Sequence, residues 1–164
     1  MRDEKAYVRR LPQDFPNLQF RIAREDGQWL VMEIVNPDGG ENIWVSNDDA
    51  LVMGVSGAHC HHYEYETLEE AYQETRREIA DYVEGKTMAY DIACGDRWVT
   101  SGFRDAEDSF DASTLESLLD AFFRKDEWFI DSVRREGCRI ETHFWQAEKD
   151  RVILANPDGS VVER

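Results

Sequence analysis

Positive charge is what this chain has least of. Its 35 aspartate and glutamate residues outnumber 19 lysines and arginines, giving a formal net charge of −16 at pH 7 over 164 residues. A surface of that sign repels nucleic-acid phosphate and anionic head groups, since both are held by clustered Lys and Arg. The reading is therefore no nucleic acid and no membrane partner. Cysteine is scarce as well: Cys60, Cys94 and Cys138 are odd in number and far apart, so reduced thiols in a cytoplasm are the expectation. No apolar run approaches the roughly 18 residues of a membrane-spanning helix, and Met1-Arg2-Asp3-Glu4-Lys5 lacks the apolar character of a secretory signal. With no Gly/Ser- or Pro-rich linker and no low-complexity tract, residues 1–164 read as one domain, and residues 1–17, limited by Pro12 and Pro16, as an irregular lead-in.

Familiar catalytic signatures are missing too. Ser56-Gly57 lacks the Gly-x-Ser-x-Gly elbow, and Gly39-Gly40 lacks the lysine and following helix of a phosphate-cradling loop. Cys60 has histidine neighbours, but neighbours on a strand point to opposite faces, so His59 or His61 is badly placed to serve it as a base. The paired carboxylates are too numerous in so acidic a chain to mark a general acid or base.

What is present is an alternation of short apolar strands and turns. Leu18, Phe20 and Ile22 alternate with polar neighbours as in a half-buried strand, and Asp26-Gly27 supplies a hairpin turn. Trp29 to Val35 is apolar on both faces, which predicts a central strand. Asn36-Pro37-Asp38-Gly39 turns into Ile43-Trp44-Val45, and Ala50 to Val55 follows, an antiparallel meander. Thr67 and Glu70 form a capping box, and Leu68, Tyr72, Thr75, Ile79, Tyr82 and Val83 recur at helical spacing up to a Gly85 stop. Met88 to Cys94 and Arg97 to Phe103 flank the Gly95-Asp96 turn as a second strand pair. A second helix is predicted from the capping box Ser113-Thr114-Leu115-Glu116 through Phe123, and a short helix, in preference to a strand, over residues 126–137. Cys138 to Phe144 and Val152 to Ala155 are strands, and Asn156-Pro157-Asp158-Gly159 repeats the earlier turn before Val161-Val162. That repetition raises a duplicated unit as one explanation, a common hairpin loop as the other. The fold class expected is α+β: a single antiparallel sheet of about seven or more strands, with two or three helices mainly on one face.

Three of the four histidines fall within His59-Cys60-His61-His62. In an extended strand, His59 and His61 share a face with Tyr63 and Tyr65, while Cys60, His62 and Glu64 share the other. One reading packs His59 and His61 under the following helix. Another makes them metal ligands, with a third ligand sought among His143, Glu64, Cys94 and Asp96, because a catalytic zinc needs three. None of those spacings is a metal signature, so no metal or other cofactor is assigned.

The acidic residues gather in Asp48-Asp49, in Glu64, Glu66, Glu69 and Glu70, and in Asp105, Glu107 and Asp108. Aromatic anchors within complementary charge are how tight interfaces are built. The partner-binding residues read from the sequence are accordingly Asp48, Asp49, His59, His61, Tyr63, Glu64, Glu66 and Trp98, with Trp44 as a further exposed aromatic.

The run Gly57-Ala58-His59-Cys60-His61-His62-Tyr63, followed by Thr67-Leu68-Glu69-Glu70-Ala71 and a helix, resembles a pattern in small bacterial proteins, some of them immunity proteins of toxin loci. The resemblance covers roughly residues 50–103 and implies an accessory binding protein. The function expected is a non-catalytic, cytoplasmic, immunity- or antitoxin-like domain that occludes a basic protein partner such as a nuclease toxin. A metal-binding protein or metal-dependent hydrolase using His59 and His61 is the alternative, a small-ligand-binding module a further one. A homodimer is left open.

Overall fold

The computed structural model describes residues 4–48, 50–62, 65–110, 135–158 and 160–164. The chain begins with a helix, α1 (Glu4–Asp14), where an irregular lead-in was expected. Val8 and Leu11 are fully buried on its inner side, with Tyr7 and Phe15 packed beside them. Pro12 lies in its last turn, where it forgoes the bond that its own N–H would give to the Val8 carbonyl.

Five strands follow as an antiparallel meander: β1 (Gln19–Asp26), β2 (Trp29–Val35), β3 (Ile43–Ser46), β4 (Val52–Val55) and β5 (Ala58–His61), paired in that order. The doubly apolar β2 is central, as its sequence predicts, with Leu30, Met32 and Ile34 buried on the inner face. β1 is an edge strand whose outer residues are solvated, and Ile22 is 51 % exposed instead of half-buried. A register shift between Ile22 and Arg24 interrupts its alternation.

The helix α2 (Leu68–Val83) has the predicted reciprocal cap. Glu70 N–H donates to Thr67 Oγ1 at 3.2 Å, and Thr67 N–H donates to Glu70 Oε2 at 3.0 Å. Its stripe of Ala71, Tyr72, Thr75, Ile79 and Tyr82 is buried, and Gly85 beyond it takes a φ of 73°, a left-handed stop that a side chain would strain. α1 and α2 cover the inner face of the first sheet and are tied together by Tyr72 Oη, which donates to Asp14 Oδ2 at 2.5 Å, and by Arg10 on Glu69.

The remaining strands are β6 (Thr87–Cys94), β7 (Arg97–Asp105), β8 (Cys138–His143), β9 (Arg151–Ala155) and β10 (Val161–Glu163), with a 3₁₀ turn at Ala147–Lys149. They form a second antiparallel sheet in the order β10-β9-β8-β6-β7. The α+β fold with antiparallel pairing is as expected, but ten strands divide into two sheets instead of one. The division falls between β5 and β7, which abut without a strand ladder; Ser101 Oγ on β7 donates to the Gly57 carbonyl at 2.6 Å. Met88, Tyr90, Ile92, Val99 and Ile140 make a second core on the far face.

Two further expectations change. Cys94 and Cys138 are neighbours at the ends of β6 and β8 and form a disulfide, so only Cys60 is a free thiol. Pairing across β6 and β8 puts them side by side, although 44 residues separate them in sequence. The two Asn-Pro-Asp-Gly turns hold unequal places: one joins β2 to β3 inside the first sheet, the other joins β9 to the edge strand β10. The helix predicted from Ser113 to Phe123, and most of the ambiguous segment 126–137, lie outside the described residues.

Candidate functional site

The histidine stretch is a hairpin, not one extended strand. Ser56 turns the chain with φ of 50°, and β5 returns along β4 with Gly54 opposite His59 and Val52 opposite His61. Val55 and Met53 point into the core, so their partners Ala58 and Cys60 do as well, and His59 and His61 face outward. The two imidazoles are exposed and meet edge to face, with centroids 4.8 Å apart. The packing expected of them under α2 falls instead to His62, buried with Nε2 3.0 Å from Glu78 Oε2, an ion-pair distance off the hydrogen-bond line. Burial and then Glu78 push the Cys60 thiol up to about 12, which removes it as a nucleophile at neutral pH.

Cross-strand register assembles a row on the outer face of the first sheet. Arg21 lies opposite Glu33, Glu33 opposite Trp44, Trp44 opposite Gly54, and Gly54 opposite His59. Arg21 holds Glu33 at 2.5 Å, and Asn42 Nδ2 also donates to that carboxylate. The Trp44 indole lies directly on Gly54: a Cβ there would sit 2.1 Å from a ring carbon. His59 leans towards the indole across β4 from β5, 6.3 Å between centroids.

Beside this row, loops from both sheets enclose a cleft of about 520 Å³. Glu33 and Trp44 come from β2 and β3, Gly39 to Asn42 from the loop between them, Ser56 from the β4–β5 turn, His143 from the end of β8, and Asp150 from the turn before β9. The loops are locked together: Asn36 Nδ2 donates to the Trp145 carbonyl at 2.9 Å, and Phe144 N–H to Asp150 Oδ1 at 2.6 Å. Glu41 and Asp150 are exposed and have no ion pair among the described residues.

Behind the cleft, His143 Nε2 donates to Asp91 Oδ2 at 3.2 Å. Burial works against both charges. For Asp91, the bond from His143, helped by the nearby Ser56 hydroxyl and Gly57 N–H, outweighs it and holds the carboxyl below the usual range. For His143, burial is outweighed by Asp91, Asp150 and Glu41, which together raise its pKa above the ordinary value.

The structure therefore brings together some of the residues expected at a binding surface and scatters others. Asp48 lies near enough to His61 to favour its charged form, although burial and the neighbouring His59 and His62 shift that imidazole down overall. Glu66 is exposed before α2. Trp98, 62 % exposed, stands near the start of β7 on the second sheet, opposite Ala93. Asp49, Tyr63 and Glu64 lie outside the described residues. Several other carboxylates are engaged locally: Glu69 with Arg10 and Gln73, Glu70 with the helix cap, Asp108 with Arg104. For a metal, Cys94 is lost to the disulfide, and no group of three or more metal-ligating side chains occurs among the described residues. Glu33, Glu41, His143 and Asp150 had no signal in the sequence beyond their residue types, since four separate segments contribute them. No family model, curated protein or solved structure matches this chain.

Proposed function

We propose that the protein is a non-catalytic binding domain that receives a basic protein partner, as an immunity-type or antitoxin-like protein would receive a nuclease toxin. The observation that carries this reading is the cleft, in which an aromatic ring seated on Gly54 stands beside carboxylates that lack cationic partners among the described residues. Such a site suits a cationic surface: charge attracts and orients the partner, while the indole supplies desolvated contact area. Trp44, half-buried where an exposed ring was expected, and the exposed His59 and His61 extend the same face, so an interface here is larger than the cleft alone.

Retention of a partner by immobilised protein tests the reading. A specific partner is lost from Trp44→Ala and Glu41→Gln protein and elutes as salt rises, because screening removes the attraction. If wild-type and variant proteins retain the same abundant basic proteins, the reading is wrong. The alternative of a metal on His59 and His61 has one observation in its favour, the exposed edge-to-face pair. Stoichiometric metal in purified protein, lost in His59→Ala/His61→Ala, is the result that would favour it.

A further inference from the structure

The cleft has a finer grain than a generally acidic face. Glu33 is already held by Arg21 and Asn42 and forms one wall. Glu41 has neither ion pair nor side-chain hydrogen bond among the described residues, and the Asp150 carboxylate accepts only from the Phe144 N–H. Outside the cleft lining, the Tyr82 hydroxyl is buried with no hydrogen-bond partner among the described residues. Burial and then the charges of Asp150 and Glu41 hold its proton on. Two acids without an ion pair and an aromatic ring lining one cleft are an arrangement that a multidentate cation completes.

Building on the cationic-partner reading, we propose that the cleft is a socket for one arginine side chain of the partner, its guanidinium against the Trp44 ring and between the Glu41 and Asp150 carboxylates. Arginine fits better than lysine on physical grounds. Its planar group stacks on indole, offers five donors in a fixed fork, and is more weakly hydrated than an ammonium. A volume of about 520 Å³ accommodates a side chain together with its flanking backbone.

His143 couples this socket to pH. The charged groups facing it are Asp91 from β6, Glu41 from the β2–β3 loop and Asp150 from the turn before β9. Protonated, His143 places its own cation against the acids that arginine would use, so the two cations compete. Arginine binding then expels up to one proton, and affinity falls by up to about tenfold per pH unit as acidification protonates His143.

The probe that tests this is N-acetyl-arginine amide, with the uncharged isostere N-acetyl-citrulline amide as control, followed by NMR of the Trp44 indole N–H and the His143 ring. Saturable shifts of both signals are expected with the arginine compound and not with the citrulline one. Glu41→Gln, a change at an exposed side chain without a partner, should weaken binding about tenfold, the loss of one charge-assisted hydrogen bond. Acidification from about pH 8 to about pH 6 should weaken it further. No saturable shift, equal shifts with citrulline, or unchanged affinity in Glu41→Gln overturns the socket. If the probe fails while a partner still depends on Trp44 and Glu41, the socket is wrong and the partner reading stands. If the probe binds and no protein partner depends on those residues, the socket stands for a small guanidinium compound and the partner reading falls.

Discussion

A methyl group at position 54 would meet a Trp44 ring carbon at 2.1 Å and the Ala58 carbonyl oxygen at 2.8 Å. Gly54→Ala must therefore lift the indole or spread β4 from β5, and overpacking of this kind costs about 1–3 kcal/mol. Urea denaturation should show that loss, and binding at the cleft should fall with it because the ring has no other seat. Cys60 allows a second test at a single atom. With its thiol pushed up to about 12 by burial and Glu78, its thiolate fraction near neutral pH is roughly a thousandfold below that of an ordinary cysteine. Iodoacetamide should label Cys60 in native protein far more slowly than in urea-unfolded protein, and rapid native labelling would contradict the burial described here.

At the scale of elements, the Ser101–Gly57 bond fastens the second sheet to the β4–β5 turn, and the Asp91–His143 bond ties β6 to β8 within that sheet. Asp91 has a lowered folded pKa, so its contribution is present above the unfolded value and is lost as pH falls through the folded one. His143 has a raised folded pKa, so its contribution is full below the unfolded value and is lost as pH rises through the folded one. Both act together between about pH 4 and about pH 6.5, and Asp91→Asn should destabilise most there, by about 1–3 kcal/mol in chemical denaturation. Thr67→Ala, which removes half of the α2 capping box, should cost about 1 kcal/mol by the same measurement. The capping box, the buried stripe of α2 and the central place of β2 are legible in the sequence because each is a local pattern with a local cause. α1 was hidden by Pro12, whose cost to the helix is offset by the burial of Val8 and Leu11, which depends on the sheet they pack against. The alternation that puts His59 and His61 on one face and Cys60 on the other was legible too, whereas which of those faces meets the core depends on the Ser56 turn, at a residue that rarely takes positive φ.

For the whole molecule, partition into two sheets and the Cys94–Cys138 bridge depend on which distant strands meet, and strand alternation carries no information about that. The cleft depends on it too. Glu41, Ser56, His143 and Asp150 come from loops of both sheets, so excess acidity was visible in the sequence and its location was not. Reducing the disulfide frees a link between residues 44 apart, and thermal or urea unfolding should show a loss of about 2–4 kcal/mol. A partner should associate faster at low salt in proportion to the net charge of −16, whichever residues form its final contacts. Location is the central claim, and hydrogen–deuterium exchange of the protein with and without its retained partner tests it most directly. The account predicts slowed exchange in residues 36–46, 54–61 and 143–151, with the acidic outer face of α2 unchanged; protection confined to α2, or none in the loops of the cleft, would contradict it.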